Sequence, residues 1–279
     1  MRNINSDTIA KAVEKLCIDS NYYLNKDVYD SLKNATKTEV SPLGREILTE
    51  LLDNAETAAE NKMAICQDTG ITVVFAELGQ DLHIDGNLTE AINEGIKNGY
   101  EHGYLRKSIV SDPLRRQNTN DNTPGVIHFE LVPGDTLKII VAPKGFGSEN
   151  CGAVKMLKPS DGRDGVIDFA VSHISNVAAN SCPPIVVGIG LGGTMEKAAI
   201  LAKKALLREV GENNPDPFYK ELETCILEKI NALGIGPAGF GGRTTALAVN
   251  IEPFPTHIAG LPMAINTCCH VLRHKEIIL

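Results

Sequence analysis

Three cysteines stand at turn signals far apart in the chain: Cys66 in Cys-Gln-Asp-Thr-Gly, Cys182 in Asn-Ser-Cys-Pro-Pro and Cys269 in Cys-Cys-His. None lies inside an apolar stripe. Brought together from distant loops, three thiolates can hold an iron–sulfur cluster while leaving one iron without a protein ligand. An open iron is a Lewis acid, which suits a catalytic centre better than an electron carrier. Each motif also has a plainer reading. Cys66 can be an ordinary loop cysteine, and Pro183-Pro184 stiffens the approach to any strand. Cys268 and Cys269 are adjacent, so the pattern alone does not choose between them.

The seven cysteines are an odd number without framework spacing. In a reducing compartment that disfavours disulfides and favours free, catalytic or metal-bound thiols. Cys17 and Cys225 fall within helical patterns and read as small packing residues. A length of 279 residues, with 43% hydrophobic and 22% charged content, fits an ordinary globular protein. The net charge of −8 argues against a nucleic-acid partner, which needs a basic footprint. No apolar run approaches a membrane span, and the N-terminus lacks the apolar core of a signal peptide. A cytoplasmic protein is expected.

The first sixty residues read as helices. Ser6 is placed to cap a helix carrying Ile9, Val13 and Leu16, and Ser41-Pro42 reads as a cap followed by proline at the first helical position. Thr72–Leu78 is strand-like, and 88–104 returns to a helical period. Val126–Val132 and Thr136–Ala142, joined by Pro133-Gly134-Asp135, predict a hairpin. Helices are expected over 164–180, from Thr194 to about Glu209, and from the 213–217 loop to Leu233. Strands are expected at Pro184–Ile189, Ala246–Ile251 and Ala259–Ile265. The class is α/β: a single compact domain of mixed β-sheet flanked by helices, with a helical N-terminal part.

Two loops carry further chemistry. Lys144-Gly-Phe-Gly-Ser-Glu-Asn150 follows a strand, and its glycines allow amides to turn toward an anion, although a plain turn fits as well. Residues 104–124 form a long polar loop, and such loops inside compact domains are often functional. Arg106 and Arg115 lie in it, and arginine can grip a carboxylate through two parallel hydrogen bonds. Gly188-Ile-Gly190-Leu-Gly-Gly193 matches a dinucleotide fingerprint. The expected second parallel strand does not follow it, so close helix–strand packing is the better use of those glycines.

In combination these motifs resemble the alpha subunit of two-subunit, iron–sulfur-dependent class I fumarases and L(+)-tartrate dehydratases, over nearly the whole chain, 1–279. The markers run from Cys66-Gln-Asp-Thr-Gly70 through Tyr104–Ser108, Ser111–Leu114, Asp121–Pro124, Gly145–Asn150, Asn180–Pro184 and Gly190–Glu196 to Ile258–Pro262 and Cys269-His270. The resemblance implies a [4Fe-4S] cluster on Cys66, Cys182 and Cys269, with one open iron. It favours Cys269 over Cys268 because the last ligand in such subunits is commonly followed by histidine. Gln67, Asp68, Arg106 and His257 would face the substrate, with Asp68, Arg106 and His257 as catalytic residues, and Gly145 and Gly147 would offer amides. Phe146 replaces a glycine common in the middle of that loop. The implied reaction is reversible hydration of a small dicarboxylate, fumarate to (S)-malate first and L(+)-tartrate dehydration second. Single-chain members carry a further domain with a threonine base, so a beta subunit and an alpha2beta2 assembly are expected. Readings from other classes are a structural-zinc scaffold and an NAD-binding oxidoreductase.

Overall fold

In the computed structural model, which describes residues 2–279, Ile9, Val13 and Leu16 line the buried face of helix α1 (Ser6–Tyr22). Its cap is Asn5, one residue before the expected Ser6: Asn5 Oδ1 accepts from the Asp7 amide at 2.7 Å. Helices α2 (Lys26–Thr38) and α3 (Pro42–Asn61) complete the helical start, and the Ser41 hydroxyl caps α3 through the Gly44 amide as expected. The mixed α/β class holds. The chain clusters into two compact units, one comprising the N-terminal stretch through Asn25, Asn54–Phe146 and Arg273–Leu279, the other Lys26–Asp53 and Gly147–Leu272.

The first unit is built on strand β2 (Ile71–Gly79), whose β-branched and aromatic residues are almost all buried. Beside it, strand β1 (Arg2–Asn5) pairs in parallel with β3 (Leu82–Asp85). Helix α4 (Leu88–His102) packs with α1 over the sheet. Its Gly95 and Gly99 allow this, because a Cβ on either would lie 2.5–2.7 Å from Ala10, Val13 or Cys17 of α1. The main sheet runs β10-β5-β2-β4, with β4 (Val126–Val132), β5 (Leu137–Lys144) and β10 (Lys275–Ile278).

The predicted hairpin is therefore corrected: both strands exist, but β2 lies between them, parallel to β4 and antiparallel to β5. The Pro133–Asp135 turn is tied to the end of β2 instead. Gln80 and Asp81 amides donate to Val132 and Gly134 carbonyls, and the Gly79 amide donates to Thr136. The buried β2 takes the centre, and the more exposed β4 takes the edge.

The second unit is a sheet of order β6-β9-β7-β8, with β6 (Ala153–Leu157), β7 (Ile185–Gly193), β8 (Ala246–Thr256) and β9 (Leu261–Cys268). A short helix, α5 (Phe146–Glu149), precedes β6. Side chains of β7 alternate faces. Ile185, Val187, Ile189 and Leu191 bury against helices α6 (Gly162–Val177) and α8 (Pro217–Asn231). Gly188 and Gly190 face helix α7 (Met195–Ala205), where an added Cβ would lie 2.1 Å and 2.0 Å from the Ala202 and Ala198 carbonyls. The glycine run is thus a strand against which a helix backbone rests, and the dinucleotide-loop reading loses its structural basis. Among the described residues no helix is long and apolar enough to cross a membrane.

Glu39, between α2 and α3, is 0% exposed. Its carboxylate accepts from the amides of Val40, Ser41, Arg243 and Thr244 at 2.7–3.0 Å. Burial alone would raise its pKa, but these backbone donors and the Thr244 side chain outweigh it and hold the carboxyl at about 2. The clamped loop leads directly to Thr245, whose carbonyl accepts from the Ile185 amide at the start of β7.

Candidate active site

In the first unit, Cys66, Gln67 and Asp68 occupy the turn between α3 and β2. Ile71 pairs with Lys144 across β2 and β5, so this turn and Gly145 share one end of the sheet. Asp68 uses both carboxylate oxygens locally: Oδ1 accepts from the Gly70 amide at 3.0 Å and Oδ2 from the Phe146 amide at 2.9 Å. The turn predicted to cradle an anion thus already receives the chain's own carboxylate at Phe146. Gly145 is needed there, since a Cβ would lie 3.2 Å from Asp68 Oδ2.

The Arg106 segment is fastened to the same turn. Thr69 Oγ1 donates to the Arg106 carbonyl at 2.9 Å. Asn122, fully buried, accepts from the Ser108 amide at 2.7 Å and donates to the Gly70 carbonyl at 3.2 Å. Beneath them the Tyr100 hydroxyl donates toward the Thr69 and Gly70 carbonyls at 2.7 Å and 3.0 Å. Burial pushes the Tyr100 phenol pKa up, so it stays a neutral donor. Within the 104–124 loop Tyr104, Arg116, Asn120 and Asn122 adopt left-handed backbone, a local strain tolerated where surrounding bonds over-determine it. Arg106 and Gln67 remain exposed, with side chains available to a ligand.

Sequence reasoning missed Arg273. It is 4% exposed, and its Nη2 donates to the Asp68 carbonyl while Nε and Nη1 have no hydrogen-bond partner. A buried guanidinium so weakly compensated is costly unless an anion faces it. The signal was its position four residues after Cys269.

In the second unit, Cys182 follows a 3₁₀ turn (Ala178–Ser181) and itself has left-handed backbone. Cys269 leaves β9, where Cys268 pairs with Val186 of β7. The two cysteines thus stand at the same end of neighbouring antiparallel strands, and His270 Nδ1 bonds the Cys182 carbonyl at 3.1 Å. Cys268 is 4% exposed and its thiol turns toward the Val271 carbonyl, whereas Cys269 is half-buried. Cys182 is exposed and Cys66 half-buried, while Cys17 and Cys151 are buried. Burial pushes the Cys17 thiol pKa up to about 12, leaving it inert.

His257 lies apart from this pair, in the turn between β8 and β9 at the opposite end of the sheet. Its Nδ1 accepts from the Ala259 amide at 3.2 Å, which puts the proton of the neutral ring on Nε2. Gly147 lies in α5, where a Cβ would sit 4.0 Å from the Asn180 carbonyl, close to the Cys182 turn.

Among the described residues no three His, Cys, Asp or Glu side chains are grouped tightly enough for a single metal ion. Thiolates that bind different irons of one cluster stand farther apart than ligands of one ion. None of the seven cysteines is in a disulfide, and the three at turn signals reach solvent, as does Cys225 on α8. This donor set fits an iron–sulfur group.

A family described as Fumarate hydratase (Fumerase) matches residues 10–278. A Methanocaldococcus jannaschii protein, provisionally named L(+)-tartrate dehydratase subunit alpha, is 42% identical over 94% of this chain and 94% of its own length. The L(+)-tartrate dehydratase subunit alpha of Escherichia coli K12 is 34% identical over 91% of this chain and 84% of its own. Both names describe one subunit of a larger enzyme. Site and relatives together define a hydro-lyase. The chain belongs to the fumarate hydratase family, with which an iron–sulfur group is consistent.

Proposed function

We propose that this chain is the alpha subunit of an oxygen-sensitive, cytoplasmic hydro-lyase that interconverts fumarate and (S)-malate, with residues 1–279 forming its cluster-binding part. One observation carries the reading: the Cys66 turn and the Arg106 segment are bolted together through Thr69 and Asn122. That fastening supports reading Cys66 as a ligand and the exposed Arg106 as its companion on one rigid platform. Cys66, Cys182 and Cys269 would hold a [4Fe-4S] cluster through three thiolates. When bound, the cluster supplies Lewis acidity at the iron that lacks a protein ligand, easing loss of the substrate hydroxyl.

The chain's own residues do the rest. Arg106 grips a substrate carboxylate in a bidentate pair, and its charge stabilises the negative charge that gathers there as the neighbouring C–H bond breaks. Gln67 adds a neutral amide donor and acceptor beside it. Asp68 holds the 145–146 backbone in place, so that Gly145 and Gly147 present a fixed surface to the substrate. His257 offers a proton at Nε2. The base that removes the C–H proton comes from a beta subunit, in an alpha2beta2 assembly.

The names of the relatives favour a second reading, L(+)-tartrate dehydration to oxaloacetate. Anaerobic assays of the chain co-purified with its beta subunit decide between them. Turnover of malate and fumarate well above L-tartrate supports the first. The reverse preference supports the second, and inactivity on every 2-hydroxy diacid overturns both.

A further inference from the structure

Within the polar loop at 104–124, residues 109–119 fold into a defined arm. Its two legs meet at an antiparallel bridge between Val110 and Asn118. The Thr119 amide donates to the Ile109 carbonyl at 2.9 Å, and the Ser111 amide to the Gln117 carbonyl at 2.7 Å. At the tip, Asp112 Oδ1 accepts from the Leu114 and Arg115 amides at 3.0 Å and 2.6 Å, while the Arg116 amide closes on the Asp112 carbonyl at 2.9 Å. This fixed turn presents three side chains outward: Leu114 is 90% exposed, and Arg115 and Arg116 beside it are exposed as well. Among the described residues neither guanidinium pairs with a carboxylate; Arg116 Nη1 reaches only the Pro113 carbonyl, at 3.4 Å. Arg116 also stands in left-handed backbone, at φ 59°, which glycine adopts freely and arginine only at a cost.

A single exposed leucine is ordinary on a protein surface. A leucine held at the apex of a rigid turn, with two unpaired arginines beside it, is a preformed contact that binds without paying to order itself. Building on the two-subunit reading above, we propose that the 109–119 arm docks the partner subunit, which receives Leu114 in an apolar socket rimmed by carboxylates. Charge points to that chemistry. The 104–124 segment holds four basic and two acidic residues, on a chain whose net charge is −8. An acidic rim is drawn to this tip, whereas two copies meeting tip to tip would set like charges together. Position points to the partner subunit. The Asn118 side chain donates to the Lys107 carbonyl at 3.0 Å, so the arm rises directly from the Arg106–Ser108 segment. That segment is fastened through Thr69 and Asn122 to the turn that follows Cys66. A subunit seated on the tip therefore stands beside the exposed Arg106, where the proposed reaction draws its base from the beta subunit.

Sedimentation of the chain co-expressed with its beta subunit, followed over a dilution series, tests this. Leu114→Asp, and separately Arg115→Glu with Arg116→Glu, should each raise the Kd of the complex roughly a hundredfold. The melting temperature of each variant chain alone should match the wild type, because all three side chains point into solvent. Leu131→Asp, equally open to solvent on edge strand β4, should leave the Kd unchanged. Added salt should weaken the wild-type complex and barely affect the arginine-reversed one. A wild-type Kd in the tip variants overturns the inference, as does an equal loss in Leu131→Asp. Tip variants that instead change the mass of the chain sedimented alone would make a second copy the occupant, which also overturns it. A wild-type chain that binds no beta subunit at all refutes the two-subunit reading, and the inference falls with it.

Discussion

Replacing Glu39 by glutamine tests the clamp behind the Cys182 strand. The carboxylate is fully buried, accepts four backbone amides and is held at about 2, against 4.5 for an unperturbed glutamate. A folded-state pKa below the unfolded one means that the stabilisation is complete above pH 4.5 and is lost as pH falls through 2. A depression of about 2.5 units corresponds to about 3 kcal/mol at pH 7, falling to about 1.5 kcal/mol at pH 3. Glutamine keeps the shape but turns an NH₂ toward backbone donors, leaving one or more amides unpaired and removing the charge. Urea unfolding of both proteins at pH 7 and pH 3 should show a gap that shrinks by about half at the lower pH. A gap below about 1 kcal/mol at pH 7, or one independent of pH, would refute the proposed role of this carboxylate.

Three further outcomes are expected. Arg273→Met removes a buried cation with two unpaired nitrogens, so the melting temperature of the metal-free chain should hold or rise. Iron release from the same variant to a chelator should quicken roughly tenfold, as when groups behind metal ligands are lost; a lower melting temperature with unchanged release would mark Arg273 as purely structural. Tyr100→Phe removes the hydroxyl from the Thr69 carbonyl and leaves Gly70 only its Asn122 donor, costing about 1–3 kcal/mol in thermal unfolding. It should also raise KM more than it lowers kcat as the Arg106 segment loosens, and an unchanged KM would contradict that coupling. Gly190→Ala drives a methyl into the Ala198 carbonyl and should cost about 3 kcal/mol. Calorimetric titration with NAD should show no binding before or after this change.

Local chemistry was legible in the sequence and long-range pairing was not. Ser41-Pro42, the period of 88–104 and the β-branched run at 72–78 encode their own structure, and the strand and helix formed where expected. The Pro133–Asp135 turn looked like a hairpin because both flanking runs alternate, but strand order depends on which run buries both faces. Only the tertiary fold reveals that β2 displaces β4 from β5. Short edge strands such as β6 and β10 carry too few residues for a clear period. The cysteine turns stood out because proline, glycine and polar neighbours mark them locally. Glu39, Asn122 and Arg273 did not, because their roles rest on backbone amides and carbonyls that composition does not display. The adjacent Cys268 and Cys269 are told apart by strand alternation, which buries the first and leaves the second half-exposed.

The most direct test is the iron and acid-labile sulfide content of the chain purified without oxygen alongside its beta subunit, compared with Cys182→Ser and Cys225→Ser. Three thiolates holding a four-iron cluster predict about four irons and four sulfides per wild-type chain. Cys225→Ser should match the wild type, and Cys182→Ser should lose most of both. Zinc without sulfide in the wild type, or full iron and sulfide in Cys182→Ser, would contradict a cluster held by Cys66, Cys182 and Cys269.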